Sequence, residues 1–271
     1  MFTSTESLRP RTRTRRLIII VGLLVVAVAV VLVARQATAL SSSPPAAPPP
    51  GGAPSRTPTA PVDEATALAE RPMLTLPPEA ALPHELTTAT AGPPITVPRP
   101  APIANRVISD GFPATAEGAL GWLTDFNKTA LRGGDPATYL RAYGESELPH
   151  APAPQGSGLL ALLTSFRDEA GIRPGELKPG LTVTYDVTQG LIKGTADGGR
   201  FAVVCTLGQL SFDFQGQSTR MGIGDCQALR WTGTAWRIAP GARAAYAASA
   251  WPGSAESVAA GYRPLNQGGA R

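Results

Sequence analysis

The chain has 271 residues, with 24 Lys or Arg against 20 Asp or Glu and a net charge of +4. That excess is local: residues 1–35 carry +5, residues 36–105 carry −2 and residues 106–271 carry +1. A nucleic-acid footprint gathers basic residues on the folded part, so this distribution argues against nucleic-acid binding.

The basic cluster Arg9, Arg11, Arg13, Arg15 and Arg16 leads into Leu17–Ala34, which holds no charged or strongly polar side chain. Eighteen residues at helical rise cover roughly 27 Å, close to the hydrocarbon thickness of a bilayer. Residues 1–16 are therefore expected as a cytoplasmic tail and 17–34 as a transmembrane helix in contact with lipid. The positive flank holds the N-terminus inside and places everything after Arg35 outside. A second reading stays open. Ala37-Thr38-Ala39 fits a cleavage site, and cutting there gives a secreted domain. The only cysteines, Cys205 and Cys226, leave no thiol near the segment for lipid attachment.

Within residues 35–105 the composition changes at Ser41, opening with SSSPPAAPPPGGAPSRTPTAP and closing with AGPPITVPRPAPIAN. Proline at this density removes backbone donors, and few aromatics leave little to bury, so a disordered linker is expected. Some 65 residues reach about 200 Å as polyproline and about 45 Å as a loose coil. Within it, Asp63–Arg71 (DEATALAER) reads either as a short helix or as a solvated stretch of linker.

Residues 106–271 have the usual size for one α+β domain. Ala116, Leu120, Leu123, Phe126, Ala130 and Leu131 form a helical stripe, with Thr115 as N-cap and Gly133-Gly134 as stop. Asp135-Pro136 opens a short helix that ends at Gly144, and Ser157 caps another that stops at Gly171. Strands follow. Leu181, Val183, Tyr185 and Val187 alternate with polar residues, and Asp197-Gly198 turns the chain into RFAVVCTLGQLSFDF.

Two hairpin turns set register. With Gln215-Gly216 as a two-residue loop, paired positions sum to 431 and Cys205 lies opposite Cys226, near enough for a disulfide. The alternative is a pair of buried free thiols; export favours the disulfide. With Gly233-Thr234 as the next loop, Trp231 faces Trp236 and Leu229 faces Ile238 on the core side. Arg230 then faces Arg237 on the other side. These two arginines are expected either to splay into water or to contact an anion or partner. One or two short alanine-rich helices are expected in the tail around Trp251-Pro252-Gly253, with Trp251 and Tyr262 pinning it to the domain or presenting an aromatic patch to a partner.

GFPATAEGAL, LRWTGTAWRIAPG and SAWPGSAESVAAGYRPL resemble membrane-anchored proteins of actinobacteria, some of them from conjugative or integrative elements, over roughly residues 110–265. The resemblance implies a nuclear-transport-factor-2-like cone, with helices packed on a curved antiparallel sheet. In the periplasmic domains of conjugation-channel assembly proteins that cone serves protein–protein contact. The long spacer here departs from their tighter membrane connection.

Catalytic chemistry finds little footing in the sequence. His84 falls in the linker and His150 in a loop, so no metal cluster or Ser/His/Asp set assembles, and no Gly-rich phosphate motif occurs. Cone-fold enzymes such as ketosteroid isomerases use Tyr and Asp between helix and sheet. The residues of that type here are Tyr139, Tyr143, Tyr185 and Asp125, but Tyr139 and Tyr143 have the four-residue spacing of packing. The sequon at Asn127-Lys128-Thr129 lies mid-helix and reads as chance. The expectation is a single-pass, extracytoplasmic interaction module with an envelope-protein partner and no catalytic, cofactor or metal site. The rival is a cone that holds a small ligand as sensor or enzyme.

Overall fold

The computed structural model describes residues 63–99 and 107–268. Among them no helix is long and apolar enough to cross a membrane. The basic tail, the apolar segment 17–34 and spacer residues 35–62 lie outside the described residues.

Three helices form where the caps predict them. Helix α2 (Ala116–Ala130) begins at Thr115, whose Oγ1 accepts from Gly118 N. Helix α3 (Pro136–Gly144) begins at Asp135, and α4 (Gly158–Ala170) at Ser157. Gly133 and Gly134, at φ 72° and 61°, turn the chain between α2 and α3, and Gly171 at φ 62° ends α4. Helix α2 buries Leu120, Leu123, Phe126, Ala130 and Leu131 of the predicted stripe and Trp122 besides, while α3 buries Tyr139 and Tyr143 and α4 buries Leu163 and Phe166.

Three long antiparallel strands follow: β2 (Leu181–Ala196), β3 (Phe201–Phe214) and β4 (Gln217–Trp231). Gln215 and Gly216 both have positive φ, the requirement of a type I′ turn, and Phe214 pairs with Gln217. That register puts Cys205 opposite Cys226, and the two are joined as a disulfide. The short β5 (Trp236–Ile238) pairs Trp231 with Trp236, Arg230 with Arg237 and Leu229 with Ile238, as the turn at Gly233-Thr234 predicts. Two more short strands, β1 (Ile95–Val97) and β6 (Arg263–Gln267), complete the order β1-β6-β2-β3-β4-β5. Register shifts in β2 after Val187 and Ile192 are bulges that bend it. The result is an α+β fold, with helices against a strongly curled, mostly antiparallel sheet.

The sheet is covered on both faces. Val204, Leu210, Met221, Ile223 and Leu229 meet the helices, while Phe201, Val203, Leu207 and the disulfide point the other way. This second face lies under Ala244, Ala248, Ala250 and Tyr262 of the tail. Backbone approaches backbone there: a Cβ on Gly222 would stand 1.8 Å from Ala250 O, so only glycine fits.

The linker expectation is corrected over residues 63–99. Helix α1 (Glu64–Glu70) forms on its Asp63 cap and buries Ala69 on the second face. A 3₁₀ turn at Pro78–Ala81 buries Ala80, and β1 lies parallel to β6 with Ile95 and Val97 buried. Proline is tolerated because these segments run at the rim, where few ladder donors are needed. The tail holds one short helix next to Gly253, α5 (Ala255–Ala259), and the rest wraps the sheet as irregular chain before β6.

Candidate functional site

Both histidines are exposed, while Tyr139, Tyr143 and Tyr185 share the helix–sheet core. His84 Nε2 contacts Glu79 O, and His150 sits in a loop at φ 67°. Asp125 accepts from Ser109 N, Tyr139 donates to Ser157 Oγ at 2.7 Å, and Tyr143 donates to Pro152 O at 2.6 Å. Burial pushes Tyr143 up to about 12 and Tyr139 well above its ordinary range, so both hydroxyls remain protonated packing groups. Among the described residues, no three His, Cys, Asp or Glu are placed to hold a metal ion.

The expected contact residues divide. Arg230 and Arg237 lie directly opposed, and each finds its own acid. Arg230 Nη1 meets Asp197 at 2.6 Å and covers the Phe201 ring. Arg237 grips Asp110 through two bonds of 2.9 Å, with both side chains largely enclosed. Neither arginine stands splayed and unpaired, because carboxylates from the α2 approach and the β2–β3 turn lie beside them. Tyr262 is corrected as a partner contact. It is fully buried and donates to Ala248 O at 2.9 Å, which pins the tail. Trp251 is half-buried, with its backbone N bonded to Ala80 O.

A polar cluster emerges inside the helix–sheet core. The register pairs Thr206 with Asp225 on the face that packs against α2, and Gln227 lies two residues along. From above, Asn127 Nδ2 donates to Thr206 Oγ1 at 2.9 Å and to Asp225 Oδ2 at 3.1 Å. Gln227 Nε2 donates to both oxygens of Asp225 at 3.3 Å. Asn127, Thr206, Asp225 and Gln227 are all buried. The sequon asparagine is thus a core residue, inaccessible to a glycan. Its Oδ1 has no hydrogen-bond partner, and neither has Trp122 Nε1 on the same helix.

Burial raises the pKa of Asp225, against the lowering effect of bonds from Asn127 and Gln227 and the charge of Arg243. Tyr185 stands near Thr206, donates to Ile223 O at 2.6 Å and is itself raised by burial. A carboxyl of this kind holds a proton more firmly than a surface acid. Its bonded neighbours are amides, however, which do not titrate and so cannot relay that proton.

The sign of the pH effect follows. The folded chain holds the Asp225 proton above pH 3.8, where the unfolded chain releases it. Stability is therefore fully present below that point and declines as pH rises through the folded-state value. Asp225→Asn cannot ionise and should lack this decline. Melting temperatures from pH 3.5 to 7.5 are expected to show the variant gaining on the wild type as pH rises. A difference between the two melting temperatures that stays constant across this range refutes this.

Compared with known proteins, the chain matches no family, no curated protein and no solved structure.

Proposed function

We propose that the chain is a single-pass, membrane-anchored protein whose domain stands outside the cytoplasm and binds another component of the envelope. On the motif resemblance, that component belongs to a conjugal-transfer or similar apparatus, and the curled sheet with its helices is a nuclear-transport-factor-2-like cone. The observation that carries the interaction reading is the occupied interior. Trp122, Phe126, Tyr139, Tyr143 and Phe166 fill the space between helices and sheet, where a cone-fold enzyme keeps its substrate. Segment 17–34 supports the anchor and the Cys205–Cys226 disulfide supports an oxidising compartment.

Protease added to intact cells tests the topology. The domain should be degraded without lysis, and crosslinking before extraction should attach it to one envelope protein. A domain cut only after lysis overturns the proposal. A domain released with Ala39 removed identifies the secreted form instead.

Asp225 favours a second reading, in which the core admits a small ligand as sensor or enzyme. An apolar probe such as a fluorescent naphthalene sulfonate should then bind the native domain and be weakened by Asp225→Asn. Failure of the native domain to bind it counts against this reading.

A further inference from the structure

We infer that residues 63–76 form a detachable strap, and that the second bulge of β2 is its receptor. The bulge lies between Ile192 and Gly194 and throws Lys193 out of the ladder. The Lys193 side chain is buried and donates through Nζ to the carbonyls of Ala69 and Arg71, which the end of α1 leaves without helical partners. Arg71 reaches back through Nη2 to Lys193 O. Ala245 N of the tail adds a bond of 2.9 Å to Ala69 O.

The adjoining glycine completes the receptor. Gly194 stands at φ 155°, and a Cβ there would lie 3.0 Å from Leu68 Cδ1. One irregularity in β2 thus supplies a cation for a helix C-terminus, an acceptor for Arg71 and a hollow for Leu68. A bulge interrupts the ladder of its strand, and here the loss is offset only while α1 is seated.

The seat is nevertheless shallow. Helix α1 has seven residues and buries only Ala69 fully, with Ala65, Leu68, Met73 and Leu76 of the strap half-buried beside it, and a helix this short has no stability of its own in water. Burial, then the neighbouring charge of Arg71, lowers Lys193 to about 8, so docking works against its ammonium form. From Pro77 onward the hold is different in kind. Ala80 O bonds Trp251 N, Thr87 N bonds Gly253 O, and β1 joins the sheet. The chain can therefore peel to residue 76 while the remainder stays closed.

On the anchor reading, the strap lies between membrane and domain, and its release lengthens the spacer by about 45 Å when extended. That consequence rests on the anchor; the strap does not. Hydrogen exchange on the full chain in detergent micelles tests it. Amides of α1 should exchange at least ~100-fold faster than those of β3, as local opening requires. Lys193→Met should speed α1 a further ~10-fold and leave β3 unchanged. Ala69→Lys, which places a charge in the seat, should do the same without touching β2. Amides of α1 that exchange in step with β3, or a Lys193→Met variant that speeds both equally, overturn the inference. If the exchange pattern holds while intact cells shield the domain from protease, the strap stands and the anchor falls.

Discussion

Arg167→Met is expected to lower the unfolding free energy by about 3–5 kcal/mol, the usual cost of removing one partner from a buried charged network. Arg167 is only 4% exposed and spends its guanidinium on backbone carbonyls. Nε donates to Gly134 O at 2.9 Å, Nη1 to Arg173 O and Glu176 O at 2.9 and 2.7 Å, and Nη2 to Gly133 O at 3.2 Å. Asp135, 3.9 Å from Nε, ties the same cluster to the cap of α3 and to Gly175 N. Methionine fills the stem volume but removes the guanidinium donors from the carbonyls of Gly133, Gly134 and Glu176, while Arg173 O keeps the bond from Glu176 N. The loop from Arg173 to Gly180, exposed throughout, should then loosen. Denaturant midpoints measure the loss, and a glutamyl endopeptidase should cut faster after Glu176. Arg167→Lys should recover little, because a single ammonium cannot serve carbonyls spread across a planar fork. A loss under about 1 kcal/mol in Arg167→Met would remove the residue from this role.

The second large effect belongs to the disulfide. Cys205 and Cys226 are 21 residues apart, and closing such a loop is worth about 3 kcal/mol in the chain-entropy account. The double substitution Cys205→Ala/Cys226→Ala should melt about 6–12 °C lower, given the entropy of a domain of this size. Wild type unfolded and refolded under reductant should match it. Because both sulfurs are buried on the second face, reductant should act only when the domain opens. An unchanged melting point after full reduction contradicts the assignment.

These sites differ in how plainly the sequence announces them. The helices α2 to α4 and the hairpins around Gln215-Gly216 and Gly233-Thr234 depend on caps and turns a few residues long. Arithmetic from those turns was enough to bring Cys205 to Cys226 and Arg230 to Arg237. The same arithmetic also carried the hidden core acid. A register that sums to 431 sets Thr206 against Asp225, on the face of Ile223 and Leu229, so a polar pair inside the core was there to be read. Its partner Asn127 was not, since nothing local says which helix lies above it. The pairing of β1 with β6 was out of reach for a further reason. Ile95 pairs with Leu265 across 170 positions, and proline-rich composition describes a lack of ladder donors equally well at a sheet rim and in free chain. The acids that neutralise Arg237 and Arg230 are likewise contacts across distance, invisible to spacing.

The parallel seam between β1 and β6 has a consequence for how the molecule is born. A polypeptide that emerges from a ribosome or a translocation pore does so from its first residue, and one side of this seam is among the earliest parts of the domain while the other is among the last. The hairpins of β2, β3 and β4 can assemble early, yet the rim must wait for Arg263–Gln267. Synthesis halted before Arg263 would leave Ile95 and Val97 with no strand to lie against, a half-built product for quality-control proteases.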